Sequence, residues 1–212
     1  MIRLVARKPY DAQKRAFDVV VALVVYIVSL PIQAAVALLI AVLLGRPVLF
    51  RQSRPGLNGE VFTLVKFRTM KLAAADEGVS SDAARLTRLG RFLRATSLDE
   101  LPTLFNVIKG DMSLVGPRPL LTSYLPRYSP EQARRHEVRP GVTGLAQVSG
   151  RNALTWEEKF ALDLEYVENR TFNFDLQILR ATVSSVLRRS GVASEGHATT
   201  AEFHGTHAGR DS

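Results

Sequence analysis

The sequence predicts an α+β protein of monotopic design: a re-entrant, broken apolar helix, then a helical cytoplasmic domain with one small β-hairpin. Three observations carry this. Residues 19–44 contain no charged side chain, yet Pro31 interrupts them and basic residues flank both ends. Strand-like runs at 47–52 and 61–66 enclose Asn58-Gly59, a dipeptide that favours a tight hairpin turn. Beyond them, apolar residues recur at three- and four-residue spacing, the helical period.

As one straight helix, residues 19–44 would reach about 39 Å, against a hydrocarbon core of about 30 Å. Pro31 removes a backbone donor and clashes with the preceding turn, while Ser29 offers a hydroxyl to a freed carbonyl. The two halves are too short to span separately. Upstream lie Arg3, Arg7, Lys8, Lys14 and Arg15; downstream lie Arg46, Arg51, Arg54, Lys66 and Arg68. Basic residues favour the cytoplasmic side, so a segment that enters, breaks at Ser29/Pro31 and returns satisfies both flanks. A straight span is the alternative.

Residues 73–84 are small, polar and acidic, and read as a surface loop. Leu86, Leu89 and Leu93 then recur at helical spacing among Arg85, Arg88, Arg91 and Arg94, an amphipathic pattern suited to an anionic lipid surface or to a solvated helix face. Residues 104–108 predict a helix ending at Lys109-Gly110, and 113–120 an extended, proline-bounded loop. Residues 139–150 are irregular; 156–169 and 176–189 are helical. The domain plan is an anchor at 1–45, a catalytic domain at 46–190 and a flexible tail at 191–212. His197, His204 and His207 fall in that tail with no acid or thiolate cluster to make a metal site.

The 212 residues suffice for one core, and the absence of cysteine excludes disulfides, thiolate metal sites and thiol nucleophiles. Lys and Arg number 28 against 20 Asp and Glu, which favours anionic partners: phospholipid head groups, nucleotides or nucleic acid. The common phosphate-loop, dinucleotide and zinc-protease signatures are absent.

Three constellations carry candidate chemistry. Ser97-Leu98-Asp99-Glu100-Leu101-Pro102 has capping-box spacing, but its carboxylate pair also suits holding a divalent cation or attacking a phosphate. Pro117-Arg118-Pro119 fixes the backbone on both sides of one guanidinium, reducing the entropy lost when it grips a phosphate. Lys66-Phe67-Arg68-Thr69-Met70 puts Lys66 and Arg68 on one strand face, as a site wall or as solvated cations.

Jointly, segments 62–70, 96–119 and 139–152 resemble the bacterial sugar transferase family, the monotopic polyprenol-phosphate phosphoglycosyl transferases. The resemblance lies in Leu98-Asp99-Glu100-Leu101-Pro102, in 106–119 ending Val115-Gly116-Pro117-Arg118-Pro119, and in Arg139-Pro140-Gly141-Val142-Thr143-Gly144 through Arg151-Asn152. It covers roughly residues 12–190; Ser149 stands where asparagine is more usual, without catalytic consequence. The resemblance implies transfer of a phosphosugar from a UDP-sugar to polyprenol (undecaprenyl) phosphate with release of UMP, the first membrane step of glycoconjugate assembly.

It further implies Asp99 as covalent nucleophile and Mg²⁺ ligand, with Glu100 assisting the acceptor or shaping the metal site. Arg118 and Arg139 are implied phosphate binders, with Lys66, Arg94 and Asp163 as further site residues. The expected setting is the cytoplasmic face of a bacterial inner membrane, on anionic phospholipid and without nucleic acid. Residues 195–203 resemble the end of the short enzymes that use UDP-linked N-acetylated amino sugars, such as diacetylated bacillosamine; UDP-galactose or UDP-glucose is the alternative. Two rival functions stand beside it: a metal-dependent phosphohydrolase of lipid diphosphates, which would use the same dyad and basic residues, and a non-enzymatic basic membrane protein binding nucleic acid or lipid, which would need neither the Asp-Glu pair nor the Pro-Arg-Pro loop.

Overall fold

A computed structural model of the chain describes residues 9–72, 82–150, 153–187 and 202–205. Helix α1 (Pro9–Val28) and helix α2 (Leu30–Leu43) form the apolar N-terminal segment, bent by 60° at the break. Neither helix alone is long and apolar enough to cross a membrane. The break follows the expected chemistry: Pro31 has no N–H to give, and the Ser29 hydroxyl donates to the Tyr26 carbonyl at 3.1 Å. Gln33 completes it, donating from Nε2 to Ser29 Oγ at 3.0 Å and to the Tyr26 carbonyl at 3.4 Å. Ser29 and Gln33 are buried inside the bend, whereas Val28 and Val42 are 72% and 71% exposed.

Both ends of the bent pair return to the same body. Near the start, Lys14 donates to Asp175 at 2.7 Å, and Arg15 donates to the carbonyls of Val107 and Ile108 at 2.6 and 3.0 Å. At the other end, the buried Arg68 guanidinium donates to the carbonyls of Leu44 and Gly45 at 2.7 and 2.5 Å. Helix termini leave carbonyls without donors, and arginine is suited to fill that need. Arg68 therefore holds the end of α2 and does not share a site wall with Lys66.

Strands β1 (Leu49–Pro55) and β2 (Val61–Phe67) form the expected antiparallel hairpin, with Phe50 opposite Lys66, Gln52 opposite Leu64 and Arg54 opposite Phe62. Asn58 and Gly59 take positive φ values of 56° and 79° at the turn, conformations that Asn and Gly tolerate. The basic segment is split rather than continuous. Helix α3 (Asp82–Arg85) takes the end of the expected loop, and helix α4 (Arg88–Ala95) begins only after Thr87, whose hydroxyl accepts from the Gly90 N–H at 2.9 Å. Residues 73–81 lie outside the described residues.

Helix α5 (Leu104–Lys109) ends at Gly110, where φ is +104°. Strands β3 (Ser113–Val115) and β4 (Gly141–Thr143) make a short parallel pair that the sequence reading did not anticipate, since each is three residues long. A Cβ on Gly116 would lie 2.4 Å from the Arg139 carbonyl oxygen, so glycine permits this approach. Helix α6 (Leu145–Ser149) follows. Helix α7 (Trp156–Asn169) starts on a Thr155–Glu158 capping box, and helix α8 (Phe172–Leu187) starts four residues before its expected position.

The central core joins Ala22 of α1 to Leu104, Val107, Met112, Val115, Tyr166 and Ile178, so the N-terminal segment packs into the body formed by the later elements. Tail residues 202–205 are docked, against the expectation of a free tail. Phe203 is buried among Tyr124, Trp156 and Phe160, and Arg127 donates to Glu202 at 2.7 Å. Aromatic contact gives this segment the apolar burial that its composition does not advertise. His197 and His207 lie outside the described residues, and among those described no acid or histidine cluster suited to a metal is found.

Candidate active site

Asp99 and Glu100 sit in a 3₁₀ segment (Leu98–Thr103) between α4 and α5. The capping-box alternative fails here: Ser97 itself adopts φ 56°, ψ 17°, its side chain makes no cap bond, and its carbonyl accepts the Glu100 N–H at 3.2 Å. Both carboxylates are thereby left for other partners. Thr103 and Asn106 fix this segment to the hairpin. The Thr103 hydroxyl donates to the Val65 carbonyl at 2.9 Å, and Asn106 accepts from Val65 N–H at 3.1 Å while donating to the Thr63 carbonyl at 2.8 Å. Val65 is held from both sides, so its neighbour Lys66 is held beside Asp99.

Asp99 is 4% exposed. Burial, and next the charge of Glu100, push its carboxyl up to about 6, while Lys66, Arg94 and Arg118 pull it back down. Desolvation disfavours the charged form, and cations nearby favour it. The net result is a buried carboxyl harder to ionise than an ordinary one, with the three cations limiting that rise. Burial pushes the Lys66 ammonium down, with Arg118 and Arg94 adding to this and the two acids opposing it. Glu100 accepts from Arg118 at 3.2 Å, and Arg94 Nε donates to Thr69 Oγ1 at 3.1 Å.

Arg118 projects from Pro117-Arg118-Pro119 with its guanidinium half exposed. Its backbone is not free: the carbonyl accepts from Arg135 at 2.8 Å. Arg135 in turn donates from Nε and Nη2 to Asp163 at 3.0 and 2.6 Å, and both members of this pair are buried. Asp163 thus stands behind the site, one guanidinium away from the Arg118 backbone. Helix α7 turns it inward on the face that also buries Phe160 and Val167.

An open cleft of about 90 Å³ lies against Lys66, Glu100 and Arg118, with Arg54, Thr103 and Val142 among its other lining residues. Of the residues expected from sequence, Asp99, Glu100, Lys66, Arg94 and Arg118 are brought together. Arg139 is not: its Nε donates to the Gly110 carbonyl at 2.8 Å, beside Arg15 at the end of α5. A helix terminus rich in unmet carbonyls claims it. Arg54 and Thr103 were missed. The signal for Arg54 lay in strand parity, because residues 50, 52 and 54 share the hairpin face that carries Lys66.

The residues fit a hard divalent cation. Asp99 and Glu100 give a carboxylate pair, and no third acid joins them in a metal cluster among the described residues. Such a sparse set suits a cation that takes its other ligands from water and substrate phosphates.

Comparison with known proteins identifies the family. Residues 9–189 match the family described as bacterial sugar transferase. The chain is 50% identical over 194 residues to an uncharacterized sugar transferase EpsL of Bacillus subtilis, covering 91% of this chain and 96% of that protein. It is 42% identical over 192 residues to a UDP-glucose:undecaprenyl-phosphate glucose-1-phosphate transferase of Caulobacter vibrioides, covering 85% and 72%. An undecaprenyl-phosphate galactose phosphotransferase of Salmonella typhimurium is 39% identical over 196 residues, covering 84% of this chain and 41% of that protein. With the match extending through the bent helix pair, the carboxylate dyad and the proline-bounded arginine, the chain belongs to the bacterial sugar transferase family.

Proposed function

We propose that this chain moves a phosphosugar from a UDP-sugar to polyprenol phosphate, giving polyprenyl diphosphosugar and UMP. The observation that carries the reading is Asp99, a buried carboxylate acted on by Lys66, Arg94 and Arg118 and adjacent in sequence to Glu100, which with Lys66 and Arg118 lines an open cleft. In the first half-reaction an Asp99 oxygen attacks the β-phosphorus of the UDP-sugar. An aspartyl O–P bond forms, the bridging P–O bond breaks, and its electron pair leaves on UMP. In the second, a phosphate oxygen of the polyprenol phosphate attacks the same phosphorus, and the Asp99 carboxylate is regenerated.

Arg118 supplies a guanidinium fork to the phosphoryl oxygens and Lys66 a compact charge, so both neutralise the anion that Asp99 must approach. Glu100 keeps Arg118 turned toward the cleft through their ion pair. Mg²⁺ is the proposed cofactor, held by Asp99 with Glu100 adjacent, and when bound it supplies charge neutralisation and Lewis-acid polarisation of the phosphates.

The proposed setting is the cytoplasmic face of the bacterial inner membrane, with the bent pair re-entrant. Two observations support it. Val20, Leu23, Val24, Ile27, Val28, Leu38, Val42 and Leu43 leave an exposed apolar surface on the pair, and both its ends are tied to one body by Arg15 and Arg68. Single cysteines at Gln13 and Arg46, labelled in intact cells, should react on the same side; opposite sides would mean a straight span. Apolar burial should also resist removal by high salt, whereas release by salt alone would mean electrostatic attachment.

Two sugar classes rest on different observations. The tail resembles enzymes that use N-acetylated amino sugars, whereas the Caulobacter and Salmonella relatives are named for glucose and galactose. A panel of UDP-sugars, assayed with the full chain, Mg²⁺ and undecaprenyl phosphate for UMP release, separates them. The mechanism is tested by mass spectrometry without lipid acceptor: a phosphosugar adduct on the Asp99 peptide is expected. Phosphate released to water would mean a phosphohydrolase, and function untouched by Asp99→Asn would mean a non-enzymatic role.

A further inference from the structure

Arg54 is the cleft residue that the scheme above leaves without a task. Its side chain is half-buried, its Nε–H is buried without a hydrogen-bond partner among the described residues, and its Nη2 donates to a neutral acceptor, Gln52 Oε1, at 2.6 Å. No carboxylate is paired with it among the described residues; the charged group that acts on it most is Arg118, of like sign. Among the other buried arginines, Arg135 and Arg170 are matched with Asp163 and Asp11, and Arg68 is held by the two carbonyls at the end of α2, whereas Arg54 has neither a carboxylate nor a backbone carbonyl among the described residues and faces a cleft. A guanidinium taken from water needs a counter-charge, and one facing a cleft can obtain it from a ligand. Burial pushes Arg54 down to about 10, so it is still a cation at neutral pH.

The order of charges along the cleft gives the ligand. Arg54, Lys66, Glu100 and Arg118 line the same cleft, and Arg118 acts both on Arg54 and on the buried Asp99. Strand register orders them: Arg54 pairs with Phe62, four residues from Lys66 on the same face, or about 14 Å along the strand. In-line displacement sends the leaving oxygen away from the attacking one. A group leaving phosphorus attacked by Asp99 therefore moves past Arg118 toward the Arg54 end.

We propose that Arg54 binds the phosphate of the departing nucleoside monophosphate, its free Nε–H and fork meeting the oxygens of the phosphate that gains the electron pair of the broken P–O bond. This rests on the phosphoglycosyl transferase reading and assigns a residue within it. Arg118 then serves the transferred phosphoryl group, Arg54 the leaving one.

The test measures inhibition of the full-length chain by UMP and, separately, by uridine, which lacks the phosphate. Arg54→Gln should weaken UMP inhibition about 10- to 100-fold, the scale of a lost charged bidentate contact, and leave uridine inhibition unchanged. Arg54→Lys, which retains charge but not the fork, should fall between the two and keep the melting midpoint of the unmodified chain. If Arg54→Gln does not fold, Arg54→Lys carries the test by the same pair of constants. Unchanged UMP inhibition, or equal weakening of UMP and uridine, overturns the assignment while transfer by the unmodified chain upholds the reaction. An unmodified chain that neither releases UMP nor is inhibited by it overturns both.

Discussion

Two buried clusters of charge differ in how fully they are closed. Behind the cleft, Arg135 and Asp163 are matched one to one, hydrogen-bonded twice, and sandwiched by Tyr128 and Phe160 at 5.8 and 5.7 Å from the guanidinium. At the cleft, Glu100 and Arg118 pair at 3.2 Å on walls that also carry Lys66 and Arg54, and Asp99 is buried beside them under the influence of Lys66, Arg94 and Arg118. The closed cluster orients a loop. The open one has cationic capacity left for an anionic ligand, and its acid is strained upward in pKa. Similar residue types thus serve architecture in one place and chemistry in the other, according to whether their charges are already neutralised.

That contrast is sharpest at the two aspartates. Asp99→Asn should reduce transfer at least about 10³-fold, because no ionised oxygen remains to attack phosphorus, and the adduct should vanish from the peptide mass spectrum. Asp163→Leu should instead destabilise the fold by about 3–5 kcal/mol, read as a lower melting temperature, since it strands Arg135 in the interior. The double change Arg135→Met with Asp163→Leu should recover much of that loss. Failure to recover it would mean that the pair is held for more than its own neutralisation.

Stability should move the other way at the open cluster. The folded pKa of Asp99 lies above that of an ordinary carboxyl, so the folded state binds its proton more tightly. The associated stability is fully present below about pH 4 and is lost as pH rises through about 6. Asp99→Asn should therefore raise stability by about 2–3 kcal/mol at pH 7.5, and the gain should vanish near pH 4. A gain independent of pH would locate its cause elsewhere. The same ionisation should govern the first half-reaction, whose kcat/KM should fall about tenfold per pH unit below 6. Glu100→Gln, which removes a like charge, should shift that fall to lower pH. The smallest effect is expected at Arg118→Lys: about tenfold slower transfer with the adduct still formed, as charge is kept and the fork lost.

Local chemistry was legible wherever a residue's neighbours in sequence are also its neighbours in space. Pro31 and Ser29 announced the break, Asn58-Gly59 the turn, and Lys109-Gly110 the end of α5. Gln33 was not legible, since its amide matters only once the bend turns it inward. The site was legible as a set of motifs, but not as an assembly. Arg118 and Glu100 are 18 positions apart and meet only in the fold. Arg139 opens another stretch of the same resemblance and is diverted to a helix end.

The sequence by itself determined the apolar segment, its break, the hairpin turn and the identity of the acid–base pairings available, because these depend on side-chain type and near-neighbour spacing. The tertiary structure alone decided which cations face Asp99. Whether a charge is a site or a brace depends on burial and on long-range partners: the Leu44 and Gly45 carbonyls took Arg68, the Gly110 carbonyl took Arg139, and Asp163 took Arg135. What those contacts did not satisfy remained at the cleft, where desolvation raises the energy of an unmatched charge and a phosphate can lower it.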